Sequence, residues 1–213
     1  MRRGFLLSLV TLMGVTTLAY GCTKPDSSGD DAGKTPQPQP TVERTDLFAV
    51  KTAEDIAYRI PSIAVTPEGR LISVVDYRIV RSDIGVVNNG RIDLHYRTSD
   101  DNGHTWSDTK VLIEGKGAEA TDFMSVGYGD PCIVADRESN RVLVMSCAGN
   151  VSFQNGTRQR HQNIARFYSD DGGQTWSAPE DIAESIYSQF DASSYGPVRS
   201  MFVASGRIMQ SST

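Results

Sequence analysis

Four side chains in this 213-residue sequence are of the types needed to grip an anion and move a proton: Arg59, Arg78, Asp83 and Asp130. Arg59 opens Arg59-Ile60-Pro61, where the proline favours an extended backbone at a strand start. Arg78 closes Val75-Asp76-Tyr77-Arg78 on the next strand. A guanidinium is permanently charged and planar, so two of them converging at one end of a fold would fork onto a carboxylate. Asp83 falls in the stretch 82–90, which is rich in glycine and asparagine and can fold over a ligand. A general acid serving a leaving oxygen needs such a position. Two other acids compete for that role. Asp76 alternates with Val75 and Tyr77 and reads also as a paired, buried carboxylate, while Asp93 sits inside a strand before Leu94. Asp130 stands before Pro131 at a strand start, a common turn arrangement as well as a binding position.

The elements that must hold these residues are strands. From Asp46 onward the apolar runs are short, rich in Val, Ile and Tyr, and broken by Gly, Asn, Asp and Pro. They predict strands over 60–65, 70–77, 91–98, 132–135, 141–146 and 163–168. No window of a dozen residues carries a helical apolar stripe with caps. The class is all-β, with a sandwich, a barrel and a propeller still open. A repeat bears on that choice. Ser99-Asp100-Asp101-Asn102-Gly103-His104-Thr105-Trp106-Ser107 returns 70 residues later as Ser169-Asp170-Asp171-Gly172-Gly173-Gln174-Thr175-Trp176-Ser177, identical at seven of nine positions. Each copy follows a strand and reads as a tight hairpin turn. Asp and Ser side chains bond turn amides, Gly supplies a positive φ, and Trp ties the returning strand to the core.

Composition removes several functions. A net charge of −5 without a basic run excludes a nucleic-acid footprint. Three cysteines and three histidines in no ligand spacing predict neither a disulfide scaffold nor a metal site, and no cofactor is expected. The one long uncharged stretch, 4–23, rules out a polytopic membrane protein. It follows Arg2 and Arg3 and ends in small residues before Cys22, which reads as a bacterial lipoprotein signal over 1–21 with lipid on Cys22. Residues 22–45, with their Pro-Gln-Pro-Gln-Pro run, form a solvated tether, and 46–213 are the globular part. Membrane contact would run through that lipid, at the cell envelope.

The repeat is similar to the Asp-box, a signature of β-propellers with four-stranded blades. In that pattern Ser99, Asp101, Gly103, Thr105 and Trp106, and likewise Ser169, Asp171, Gly173, Thr175 and Trp176, are structural. With Tyr58-Arg59-Ile60-Pro61, Val75-Asp76-Tyr77-Arg78, Arg81-Ser82-Asp83 and Gly129-Asp130-Pro131-Cys132, residues 47–213 resemble the bacterial sialidases, six-bladed propellers that remove terminal sialic acid. The resemblance implies that Arg59 grips the sialic-acid carboxylate, Arg78 contacts the sugar, Asp83 is the acid/base, and Asp130 lies against the N-acyl and 4-hydroxyl region. It implies partners that are sialylated glycans, glycoproteins or gangliosides. It also implies retention through a tyrosine nucleophile. In the family that tyrosine, its glutamate and two further arginines come from later blades, and Tyr128, Tyr187 and Tyr195 match no nucleophile motif. The motifs at 58–61, 75–78 and 81–83 argue against a noncatalytic Asp-box propeller that binds surface glycans, which would not need the acid, and against another Asp-box glycosidase.

Further expectations follow. The chain supplies about two and a half blades: 59–114, 130–182, and a third opening over 198–204 with a turn at Ser205-Gly206 and a second strand over 207–212. Lacking the nucleophile, it is expected not to turn over sialosides alone. An open ring would leave apolar residues such as Ile63, Val65, Met201 and Phe202 uncovered and promote association. A two-residue turn at Ser139-Asn140 would set Cys132 opposite Cys147 on neighbouring strands. Arg158 to Arg160 and His161 read as solvated loop charge.

Overall fold

A computed structural model describes residues 44–49, 57–80, 82–203 and 205–212. The signal, Cys22 and most of the tether lie outside the described residues. Strands β1 (Ala57–Val65), β2 (Leu71–Arg78), β3 (Ile92–Ser99) and β4 (Lys110–Ile113) form one antiparallel sheet in chain order. The pattern repeats in β5 (Tyr128–Ala135), β6 (Val142–Ala148), β7 (Asn163–Ser169) and β8 (Glu180–Asp181). These are two propeller-type blades, and the shared core lies between them. Ile72, Val74, Leu94 and Tyr96 from the first sheet meet Tyr128, Ile133, Val144 and Phe167 from the second.

The two Asp-boxes are the β3–β4 and β7–β8 turns, and their bonds coincide. Asp101 Oδ1 accepts from Ser99 Oγ and Thr105 N, both at 2.8 Å, and Asp171 Oδ1 accepts from Ser169 Oγ at 2.8 Å and Thr175 N at 2.9 Å. Gly103 at φ +88° and Gly173 at φ +83° take the left-handed step that a side chain would resist. Trp176 reaches across to blade one and meets Tyr96 edge-on, ring centres 5.8 Å apart. All of this happens at the end of the sheets opposite Arg78, because β3 runs antiparallel to β2 with Leu71 against Ser99 and Arg78 against Ile92. The boxes brace the fold away from the site.

Three expectations need correction. Cys132 faces Met145 and Cys147 faces Gly129, so the two free, buried thiols are not cross-strand partners. Asp136 N bonds Arg141 O at 2.8 Å, making a four-residue loop, and the Asp136 side chain accepts from Glu138 N and Ser139 Oγ inside it. A bulge between Gly129 and Cys132 moves the register once more. The third blade also differs. Residues 198–203 are not a strand, and β9 (Gly206–Arg207) pairs in parallel with β5 instead of opening an antiparallel hairpin. The inner edge of β5 presents unpaired N–H and C=O groups, and this segment satisfies them; Ile208 N, for example, bonds Ile133 O at 3.1 Å. Finally, Arg158 is largely covered, its guanidinium bonded to Glu184 and Asp191 and lying over Tyr187, because the five-residue helix α1 (Ala183–Tyr187) brings those partners to the loop. Ile63, Val65 and Phe202 are exposed, while Met201 is half-buried.

Candidate functional site

The first strand of each blade carries the same irregularity. Register slips between Arg59 and Ser62 on β1 and between Gly129 and Cys132 on β5, and in each bulge the residue before proline, Ile60 or Asp130, sits at φ +54°. Proline disfavours the helical region for its predecessor but here does not hold it extended. A β-branched Ile60 at positive φ is a strained conformation that the surrounding sheet must impose. The consequence is positional. Arg59 keeps its place as the cross-strand partner of Asp76, and Asp130 is turned toward the end of β2.

There Arg78, only 1% exposed, gathers three carboxylates. Its Nε and Nη2 donate to Asp76 Oδ2 at 3.1 and 2.8 Å, Nη2 also donates to Asp130 Oδ1 at 3.1 Å, and Nη1 lies 3.0 Å from Ser82 O and 3.1 Å from Asp83 Oδ1. Five N–H groups meet five acceptor contacts, a saturated guanidinium. Asp83 is more than half exposed and free to meet a ligand from the solvent side. Of its rivals, Asp93 is held by Arg91 Nε and Nη2 and by Gly115 N, all at 2.9 Å, and is a paired structural acid. Asp76 is fully buried. Burial first, then the neighbouring Asp83, pushes the Asp130 carboxyl up to about 6 against the pull of Arg78.

The loop carrying Asp83 is seated on blade two. A Cβ on Gly85, at φ +65°, would stand 2.3 Å from Val151 C and Ser152 N, so only glycine permits this approach. Asn150 adds a second tie, accepting from Asn89 N at 3.0 Å and donating to Asn89 Oδ1 at 2.9 Å. Asp83, Ile84, Val86, Asp130, Phe153, Gln162 and Phe202 then line a cleft of about 370 Å³, within the size range of small-molecule sites. Arg78, Asp83 and Asp130 therefore converge, with Arg59 on the adjoining strand. Tyr128 and Tyr187 are buried in the core and Tyr195 is fully exposed, and none of them lines the cleft. Gly85, Asn150 and the apolar lining escaped the sequence reading, since their partners come from the other blade. Asp76 carried a signal, the Asp-x-Arg spacing that puts both side chains on one face of a strand.

The profile described as a BNR repeat-like domain matches residues 87–213, a span that includes Asp130 and both Asp-boxes. A sialidase of Bacteroides fragilis is 30% identical over 166 residues, 72% of this chain and 29% of its own length. A sialidase of Micromonospora viridifaciens is 32% identical over 129 residues, 56% of this chain and 18% of its own length. The chain thus spans less than a third of either relative. Among solved structures, the Hadza microbial sialidase Hz136 superposes with a TM-score of 0.56 at 26% identity, covering 71% of this chain and 29% of that one. A leech intramolecular trans-sialidase complexed with 2,7-anhydro-Neu5Ac shares the fold, with a TM-score of 0.59 at 13% identity over 78% of this chain and 40% of that one.

Proposed function

The chain belongs to the BNR repeat-like domain family, and on that footing we propose that it forms the carboxylate-binding and acid-bearing part of an exo-α-sialidase acting on sialylated glycans. The observation that carries this reading is the single buried guanidinium of Arg78 holding both Asp83 and Asp130 at 3.1 Å on the wall of one cleft. Arg59, exposed on β1, meets the sialic-acid carboxylate. A bidentate guanidinium–carboxylate pair is the strong way to hold such an anion. Asp83, on the solvent side of Arg78, donates its proton to the departing glycosidic oxygen. Asp130, which keeps its proton up to about pH 6, donates a hydrogen bond to the sugar in mildly acidic solution and accepts one when ionised. Retention would follow from the tyrosine nucleophile of sialidases, supplied by residues other than those lining this cleft. Attachment through lipid on Cys22 would place the enzyme at the bacterial cell envelope, a reading supported by the charged, apolar and small-residue order of 1–22.

Titration of N-acetylneuraminic acid into the chain tests the binding half. Wild type should bind and Arg59→Ala should lose most of that affinity. In a protein with the complete site, Asp83→Ala should lower kcat for an aryl sialoside with little change in KM. Undiminished turnover by Asp83→Ala, or sugar binding indifferent to Arg59→Ala, would remove the assignment. Binding without any turnover in the complete protein would instead favour a glycan-binding propeller.

A further inference from the structure

Asp76 is fully buried, and neither the anion grip nor the proton transfer uses it. Its Oδ2 accepts three hydrogen bonds, from Nε and Nη2 of Arg78 at 3.1 and 2.8 Å and from the Asp130 backbone N–H at 3.3 Å. Its Oδ1 is buried with no partner among the described residues. A carboxylate in that state is costly to keep, because half of it has given up water for nothing. Stability alone does not account for it. What it does achieve is geometric. Two bonds to one carboxylate oxygen fix the plane of the Arg78 guanidinium, and that plane decides where Nη1 meets Asp83 and Nη2 meets Asp130. The third bond ties down the backbone of Asp130 inside its strained bulge at φ +54°.

We propose, resting on the sialidase reading above, that Asp76 is a positioning residue that sets the spacing of the two carboxylates lining the cleft, through the Arg78 plane and the Asp130 backbone. The charged groups around it are Arg59 from β1, Arg78 on its own strand, Asp130 from β5, and Asp83 on the far side of Arg78. Two cations thus face three acids. Asp76 adds to the upward push on Asp130 and competes with it for Arg78. Neutralising Asp76 leaves more of the arginine's charge to Asp130, so the proton of Asp130 should leave at lower pH.

The test uses carboxyl-carbon and arginine Nε–H resonances of the full chain in wild type, Asp76→Asn and Asp76→Ala. Asparagine keeps an acceptor toward Arg78 and removes the charge, whereas alanine removes both. Wild-type Asp130 should titrate near 6, and its midpoint should fall by about one pH unit in Asp76→Asn. The Arg78 Nε–H should stay protected from exchange in wild type and Asp76→Asn and lose protection in Asp76→Ala. An unchanged Asp130 midpoint, or an Arg78 Nε–H equally protected in all three, overturns the proposal. Should a variant fail to fold, wild type decides alone: an Arg78 Nε–H exchanging at the solvent rate, or blind to the Asp130 titration, overturns it too. Parallel titrations with N-acetylneuraminic acid separate the two ideas. Resonances that respond as expected in a chain that does not bind the sugar overturn the sialidase reading and leave Asp76 as organiser of this carboxylate pair. Sugar binding without those responses overturns the role of Asp76 alone.

Discussion

Replacing Asp171 with alanine should destabilise the chain by about 2 kcal/mol, while replacing its neighbour Asp170 should leave stability close to that of wild type. The difference lies in what each carboxylate holds. Asp171 accepts from Ser169 Oγ, Gln174 N and Thr175 N through Oδ1 and from Thr175 Oγ1 through Oδ2, at 2.6 to 2.9 Å. Asp170 makes one bond, to Arg141 at 2.6 Å, with both side chains more than half exposed. Gln174 and Thr175 are also exposed, so water replaces the lost acceptor and each bond counts only its net worth, roughly 0.5 kcal/mol. The bonds from Thr175 hold the Asp171 carboxyl down to about 2, below its ordinary 3.8. That contribution is therefore complete above about pH 4 and lost as pH falls toward 2. Converted directly the shift would exceed 2 kcal/mol, and solvent screening of so open a group reduces the pH-dependent part to about 1 kcal/mol. Urea unfolding followed by tryptophan fluorescence measures it, since Trp176 rests on Tyr96. Equal losses for Asp171→Ala and Asp170→Ala, or a gap to wild type that stays constant from pH 5 to pH 2, would refute the reasoning.

Arg78→Met should cost about 4 kcal/mol, because it strands the buried Asp76 charge, and a thermal melt at neutral pH against wild type reads this directly. Asp130 titrates near 6, above the carboxylate norm, so its protonated form is the one the fold favours: its contribution is complete below about pH 4 and fades as pH rises through 6. Asp130→Asn should flatten the stability profile between pH 4 and 7 by about 2 kcal/mol, measured by urea midpoints across that range. Gly85→Ala should destabilise by about 2 kcal/mol or more and speed hydrogen exchange in the loop carrying Asp83, whereas Gly69→Ala, also at positive φ but with nothing near its Cβ, should cost about 1 kcal/mol.

Strand spacing was sufficient to place six of the eight strands of the two like sheets, since alternating burial and turn chemistry are local properties, and the fourth strand of each sheet came with the resemblance of the repeat to the Asp-box. The internal bonds of the Asp-boxes were legible for the same reason: every partner lies within a few residues. The grouping of Arg78 with Asp83 was half legible, resting on motif order, and its geometry needed a loop whose course the sequence leaves open.

What the sequence determined by itself is the set of periodic and short-range features: an all-β chain, its repeat, its hairpin turns, and which arginines and acids stand at strand ends. What only the tertiary structure decided is everything that depends on two segments meeting. The pairing of Cys132 with Met145 followed from a loop closed by Asp136, and that of Cys147 with Gly129 from the bulge at Asp130. The parallel docking of β9 followed from an unpaired edge on β5. Of the three carboxylates on Arg78, Asp76 shares its strand and its face, whereas Asp83 on the loop after β2 and Asp130 on β5 reach it only through the tertiary fold. The physical reason is that hydrogen-bond satisfaction and burial are settled by partners brought together through the core, so side chains distant in sequence acquire their charge state and orientation only when the blades close on one another.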